Sequence, residues 1–202
     1  PVPIITHCED TPMIEAELAR VRALLGDDIP PELHADIRSR AACYKSTELA
    51  VGLAKKHGTA LHVLHISTAE ELALFEPGPV EGKRITAETC VHFLHLARED
   101  YARLGNFMKC NPSVKEASDR AALLRAVAED RIDVLATDHA PHTIAEKEQP
   151  YLSAPGGLPL VQDFLICALQ KVRDGHFSLA HLVNKICHAP ALRFGVVERG
   201  FL

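Results

Sequence analysis

The chain has 202 residues, of which 47% are hydrophobic and 24% are charged. This balance is typical of a globular protein that is large enough to bury a core. The 22 basic and 27 acidic residues give a net charge of −5, which disfavours proteins that bind nucleic acid or an anionic membrane surface. No apolar run approaches the roughly 20 residues of a membrane-spanning helix.

The cysteines argue against a disulfide-rich or cysteine-zinc protein. All six lie far apart in the sequence and form no Cys-x-x-Cys pair, which is the spacing that such frameworks use. Reduced thiols of this kind favour a cytoplasmic location. Histidine is the compositional outlier, with 12 residues, so its positions need an explanation.

Apolar periodicity predicts an alternation of strands and helices. In chain order, the pattern indicates a strand at 2–6, a helix from 11, a helix at 39–57, a strand at 60–66, a helix from 68, a weaker strand at 82–87, a helix at 116–129, a strand at 132–137, and helices at 160–173 and 178–185. Strand–helix alternation favours a parallel sheet covered by helices. No repeat or linker divides the chain, so a single α/β domain over 1–202 is expected.

Three helix boundaries are marked by specific residues. Thr11, followed by a proline, predicts an N-cap with proline at the first helical position. Gly58 is typical of the residue that ends a helix. Thr68 and Glu71 have the spacing of a capping box, which predicts that a helix begins there.

Three predicted strands end in side chains that bind metals. His7, His65 and Asp138 follow the strands at 2–6, 60–66 and 132–137, and the active groups of parallel α/β proteins lie at such strand ends. Taken alone, each residue is more often a core, cap or turn residue. Together, imidazole and carboxylate ligands suit zinc or a similar divalent ion.

Strand alternation separates the two histidines of the second strand. Leu61, Val63 and His65 share one face, whereas His62 lies on the other. Only one of the two histidines can therefore face a common site. We expect that residue to be His65, and we expect His62 to face the outer helices in a structural role.

The segment Thr-Asp-His-Ala-Pro-His at 137–142 is the most specific motif in the chain. With ITHCED, LHVLHIST, KCNPSVK and APGGLPLVQ, it resembles the dihydroorotase family of metal-dependent (β/α)8-barrel amidohydrolases. The similarity covers nearly the whole chain. Thr-Asp-His-Ala-Pro-His followed by a glycine-rich loop is fairly specific to the cyclic-amide hydrolases, whereas the other motifs are weaker alone.

The resemblance implies a role for each strand-end residue. His7 and His65 match the family's metal ligands at the ends of barrel strands five and six. Asp138 matches the strand-eight aspartate that binds metal and moves a proton between the attacking water and the leaving nitrogen. The implied cofactor is zinc, as one or two ions, with other divalent metals as alternatives.

The resemblance also implies a substrate-binding set. Asn111 and His142 match residues that hydrogen-bond the substrate, and Gly156 and Gly157 match a loop whose backbone approaches the substrate ring. The asparagine favours dihydroorotase over allantoinase or dihydropyrimidinase. Lys115 stands where the family usually has arginine, which is not an equivalent side chain. The role of His92 stays open.

The match extends over only part of the family's barrel. The His-x-His motif of strand one, the region of strand four and the C-terminal β-rich domain have no counterpart here, and the chain does not begin with Met. The expected fold is therefore α/β, as the C-terminal half (strands 5–8) of a (β/α)8 TIM-type barrel. The expected partners are the N-terminal half of the barrel and, as is common in the family, a second copy in a homodimer.

The implied activity is the reversible closure of N-carbamoyl-aspartate to dihydroorotate in pyrimidine biosynthesis, with the isolated half inactive. Two alternatives remain. One is another cyclic-amide hydrolase, an allantoinase or dihydropyrimidinase. The other is a non-catalytic dihydroorotase-like partner or assembly subunit.

Overall fold

A computed structural model describes residues 2–199. Within this range the strands form one parallel sheet: β1 (Ile4–Thr6), β2 (Leu61–Val63), β3 (Ile85–Cys90) and β4 (Val134–Ala136). Each strand pairs with its neighbour along the chain, in the order β1-β2-β3-β4. The prediction of a parallel α/β sheet is confirmed.

Helices follow each strand. They are α1 (Thr11–Leu25), α2 (His34–Ile37), α3 (Arg40–His57), α4 (Tyr101–Leu104), α5 (Ala117–Ala128), α6 (Ile144–Lys147), α7 (Phe164–Arg173), α8 (Leu179–Val183) and α9 (Ala189–Phe194). A π-helical turn at Asn184–His188 joins α8 to α9. None of the helices in the described range is long and apolar enough to cross a membrane.

The long helix α3 has the boundaries that its capping residues predict. The Ser39 side chain accepts a hydrogen bond from the Ala42 N–H, and Gly58 ends the helix with φ 62°. At α1 the prediction is wrong by one residue. The N-cap is Asp10, whose carboxylate accepts from the Met13 N–H, because aspartate reaches the first-turn amides as well as threonine does.

The predicted helix at Thr68 is not formed. The capping-box hydrogen bonds are present, with the Thr68 N–H donating to Glu71 Oε2 at 3.2 Å, but only a 3₁₀ turn follows, at Glu71–Leu74. The Thr47 hydroxyl of α3 donates to the buried Glu71 carboxylate at 2.7 Å. Burial raises the pKa of Glu71. A tertiary contact thus overrides the local helix signal.

The two faces of the sheet have different surroundings. Leu61 and Val63 of β2 lie in the hydrophobic core with Val51 and Ala54 of α3. His62 faces the opposite side, where its Nδ1 lies 2.8 Å from Thr86 Oγ1 and its Nε2 lies 3.1 Å from Glu88. Its ring also lies against Phe194 of α9, with the centroids 5.3 Å apart, so His62 packs against a helix, but on the face of the sheet away from α3.

The outer edge of β1 is open. Ile4 and Ile5 are 57% and 49% exposed, because β1 pairs only with β2 within the described chain. Strand β4 likewise pairs only with β3 in this range. Unpaired edges of a parallel sheet expose backbone donors and acceptors that can bind further strands.

Candidate metal and substrate site

The ends of β1 and β2 bring His7 and His65 together. His7 Nδ1 lies 3.0 Å from His65 Nε2, and the two ring centroids are 4.7 Å apart at an interplanar angle of 73°. The His65 backbone has φ 41°, a left-handed conformation that is costly for histidine and is found mainly at functional sites. This conformation breaks the strand alternation, so His65 does not follow Leu61 and Val63 into the core.

The two ring nitrogens fit a shared metal ion. Two nitrogens bound at about 2.0–2.1 Å to one tetrahedral zinc lie about 3.3 Å apart, close to the observed 3.0 Å. Burial, and next the charge of His7, lower the pKa of His65 to about 4. His65 is therefore neutral near pH 7, which is the form that binds metal.

Glu9 lies on the far side of the His7 ring, close enough for an ion pair but without a hydrogen bond from either neighbour among the described residues. Its side chain is 2% exposed, and its Oε2 lies 3.0 Å from His7 Nε2 and 3.0 Å from an Arg38 guanidinium nitrogen. Burial opposes the ionisation of Glu9, but the His7 ring and Arg38 outweigh it and lower the pKa of the carboxyl. Metal-binding histidines commonly donate their second N–H to a carboxylate. Sequence reasoning missed Glu9, although an acid two residues after His7 was a usable signal.

Asp138 lies at the end of β4 and also has a left-handed backbone, with φ 48°. The residue is exposed to solvent, yet its carboxyl is partly enclosed by protein, which raises its pKa. The charge of His7 acts in the opposite direction. Across residues 2–199, no group of three or more His, Cys, Asp or Glu has the geometry of a complete metal site.

The predicted substrate-binding residues lie on three loops that contact one another. A Cβ on Gly156 would lie 2.9 Å from Asn111 Nδ2. A Cβ on Gly157 would lie 2.5 Å from the Ala140 carbonyl oxygen and 3.2 Å from His142 Cδ2. Gly157 also has φ 148°. Only glycine allows this close approach of the three loops.

A cavity of about 200 Å³ lies beside these loops. Among its lining residues are Asn111, Gly156, Arg38 and Lys109. Asn111 Oδ1 is buried and has no hydrogen-bond partner among the described residues, so it is an acceptor in need of a donor. The cavity therefore combines a free amide oxygen with two cationic side chains.

Lys115 and His34 support the loops structurally, whereas His92 is buried with its Nδ1 unpaired among the described residues. Lys115 is 3% exposed and donates to Ser113 Oγ at 2.8 Å and to the Ser113 carbonyl at 3.0 Å, so it stabilises the turn after Asn111. His34 bridges the Cys110 carbonyl and the Tyr151 hydroxyl, each at 2.8 Å. Burial, and next the charge of His65, lower the pKa of His92 to about 3, and its Nε2 lies 3.6 Å from Cys110 Sγ.

Known proteins resemble the chain over nearly its whole length. No family model matches the sequence. The dihydroorotase of Latilactobacillus sakei is 33% identical over 205 residues, which cover 99% of this chain and 46% of the relative. The chain is dihydroorotase-like. An allantoinase of Bacillus velezensis is 31% identical over 193 residues, which cover 95% of this chain and 41% of that relative. The chain therefore spans less than half the length of these relatives.

The fold comparison agrees with the sequence comparison. The L-hydantoinase (dihydropyrimidinase) structure from Arthrobacter aurescens matches this dihydroorotase-like chain with a TM-score of 0.89 and 27% identity. The match covers 98% of the chain and 45% of that structure. The resemblance found in the sequence is confirmed, and the parallel α/β fold is consistent with the C-terminal half of an amidohydrolase barrel.

Proposed function

We propose that the chain is the C-terminal half of the catalytic barrel of a dihydroorotase, which interconverts N-carbamoyl-aspartate and dihydroorotate. The observation that carries this proposal is the convergence of His7 Nδ1 and His65 Nε2 at 3.0 Å, at the edge of the parallel sheet where β4 leads into Asp138. The dihydroorotase relatives support the choice of reaction. The rest of the barrel, a homodimer and a cytoplasmic location belong to the same proposal.

Under this proposal His7, His65 and Asp138 hold one or two divalent ions, with zinc as the preferred metal. Bound zinc polarises an amide carbonyl and lowers the pKa of a water toward about 7. The Glu9 carboxylate lies 3.0 Å from His7 Nε2, and its negative charge favours a proton on that nitrogen. The lone pair on Nδ1 is then on the side that faces His65, where the two rings would hold an ion.

Asp138 is the proton carrier of the proposed reaction. Its carboxylate accepts a proton from the attacking water and delivers it to the ring nitrogen as the amide C–N bond breaks. In ring closure the same carboxyl returns the proton in the opposite direction. Partial burial raises its pKa, which brings the carboxyl closer to the neutral range where proton carriers are efficient.

Asn111 and His142 orient the ring in this proposal. Asn111 contributes the buried oxygen that has no partner in the described chain, which suits a ring N–H donor. His142 lies against Gly157, and its side chain is 27% exposed, so one edge of its ring can meet a ligand. The Gly156–Gly157 backbone allows the ring to approach without a side chain in the way.

The test is a reconstitution from two halves. The chain is mixed with the first half of the L. sakei dihydroorotase, the part that precedes the matched segment, and bound zinc and dihydroorotate hydrolysis are measured. A gain in both on mixing is expected, because Asp138 and the histidine pair then meet the rest of the barrel. The two halves of the L. sakei enzyme, mixed in the same way, are the control.

Two results would contradict the proposal. If the control halves regain activity but the mixture with this chain binds no zinc and hydrolyses nothing, the chain is a non-catalytic dihydroorotase-like partner. If the mixture hydrolyses allantoin or dihydrouracil in preference to dihydroorotate, the chain belongs to another cyclic-amide hydrolase. Both substrates are therefore assayed beside dihydroorotate.

A further inference from the structure

Two lysine ammonium groups lie inside the loop that carries Gly156 and Gly157. Lys147, at the end of α6, is 5% exposed. Its Nζ donates to the carbonyl oxygens of Lys109 at 3.0 Å, Pro155 at 3.0 Å and Gly157 at 3.1 Å. All three N–H groups of the ammonium therefore have backbone acceptors.

Lys109 completes the arrangement from the other side of the loop. Its Nζ donates to the carbonyl oxygens of Tyr151 and Ala154, each at 2.6 Å, and lies 4.3 Å from the centre of the Tyr151 ring. The Gly157 N–H in turn donates to the Lys109 carbonyl at 2.9 Å. Lys109 and Lys147, hereafter the lysine pair, thus connect the loop 151–157 to the segment that leads into Asn111.

The lysine pair also leaves uncompensated positive charge beside the cavity. Neither ammonium forms an ion pair with a carboxylate in the part of the chain that the structure describes. Burial, and next the charges of Lys147 and Arg38, lower the pKa of Lys109 to about 8. Protonated lysines here therefore favour an anionic ligand over a neutral one.

We propose that Lys147 is a positioning residue, which fixes the Gly156–Gly157 loop against Asn111 so that the cavity accepts a carboxylate-bearing ring. The inference rests on the proposed function for the identity of the ring. The loop contacts themselves do not depend on it. Any shift of the loop moves Gly156 relative to Asn111, since the space between them is too small for even one added carbon at Gly156.

The first test measures the loop without any ligand. In Lys147→Met three carbonyls lose the ammonium donor, although the Lys109 carbonyl keeps the Gly157 N–H, and we expect amide hydrogen exchange of the peptide spanning 151–158 to become at least tenfold faster. Lys56→Met, at an exposed lysine of α3, is the matched control and is expected to leave this exchange unchanged. If Lys147→Met does not fold, Lys147→Gln, which retains two N–H donors, replaces it.

The second test separates positioning from overall stability. In the reconstituted two-half protein we expect the Lys147 variant to raise the KM for dihydroorotate at least tenfold, to change kcat less than threefold and to retain the zinc content. The KM for the neutral ring dihydrouracil is expected to change less.

Unchanged exchange of the 151–158 peptide, or a fall in kcat at constant KM, overturns the inference. If the parent protein does not act on dihydroorotate, the proposed function fails. The exchange measurement then still decides whether Lys147 holds the loop.

Discussion

The strand ends and the loops of this site are built in different ways. His7 and His65 follow β1 and β2 directly, so the strand register Thr6 to Val63 largely fixes where they meet. Asn111 and Gly157 lie on loops, and their places depend on close backbone contacts and on the lysine pair. The proposed metal ligands are therefore visible in the sequence, whereas the proposed substrate-binding groups depend on residues with no catalytic signature.

Among substitutions in the two regions, the largest loss of activity is expected at Asp138, at a strand end. In the reconstituted protein, Asp138→Asn removes the proposed proton carrier, and we expect kcat for dihydroorotate to fall about 10²–10⁴-fold. The KM should change much less, because the loop region is untouched. Steady-state kinetics measure both values. Asp28→Asn, at an exposed aspartate, is the control, and equal activity of the two variants would refute the role of Asp138.

A smaller effect, on zinc affinity, is expected at Glu9, which lies next to the proposed ligand His7. Glu9→Gln removes the buried carboxylate that faces His7 Nε2, and loss of such a partner typically weakens metal affinity 10–100-fold. Competition with a chromophoric chelator measures the zinc affinity of the reconstituted protein. Glu15→Gln changes an exposed glutamate of α1 and should have no effect. If Glu9→Gln binds zinc as tightly as the parent and Glu15→Gln do, Glu9 has no role in metal binding.

On the loop side, Gly157→Ala tests how closely the loops pack. The new Cβ would lie 2.5 Å from the Ala140 carbonyl oxygen, and such overpacking costs about 1–3 kcal/mol of unfolding free energy. Urea denaturation measures this cost. Gly175→Ala is the matched control, since Gly175 has φ 81° but a Cβ at that position would have no neighbouring atom within 4 Å. An equal loss in both variants would mean that backbone strain, not loop contact, explains the effect.

The last prediction concerns the buried histidines His34 and His92, whose effect is modest per pH unit and accumulates over several units. Burial lowers the pKa of both His34 and His92 to about 3, so below about pH 6.5 the unfolded chain binds protons that the folded chain does not. Stability should therefore fall as the pH decreases from about 6.5 toward 3, by up to about 1.4 kcal/mol per pH unit for each histidine.

Denaturation at several pH values measures this slope. His34→Gln should reduce it, whereas His57→Gln, at an exposed position, should not. A slope that is the same in all three proteins would show that His34 does not contribute.

Much of the fold was predictable because its signals are local. Capping residues set the ends of α3, and apolar runs indicated the strands. Predictions were wrong where a tertiary contact decided the outcome. Thr47 holds the Glu71 carboxylate in the interior, so no helix begins at Thr68.

Within the site, residue type indicated the histidines and the aspartate, but not what supports them. The left-handed backbone at His65 cannot be read from strand alternation, because alternation assumes an extended backbone at every residue. Lys147 resembles an ordinary exposed lysine of a short helix until its three carbonyl acceptors are known. Long-range partners of this kind leave no periodic signal in one sequence.

The order of the sheet has a consequence for assembly. Because β1 to β4 follow chain order, the two open edges belong to the first and the last strand and lie on opposite sides of the sheet. Under the proposed function, the other half of the barrel contacts both edges at once, which makes its binding bivalent. Bivalent contacts can exceed either single affinity by about 10²–10⁴-fold. Blocking one edge, for instance with a proline in place of Ile5, should therefore weaken ring closure far more than the short length of β1, three residues, suggests.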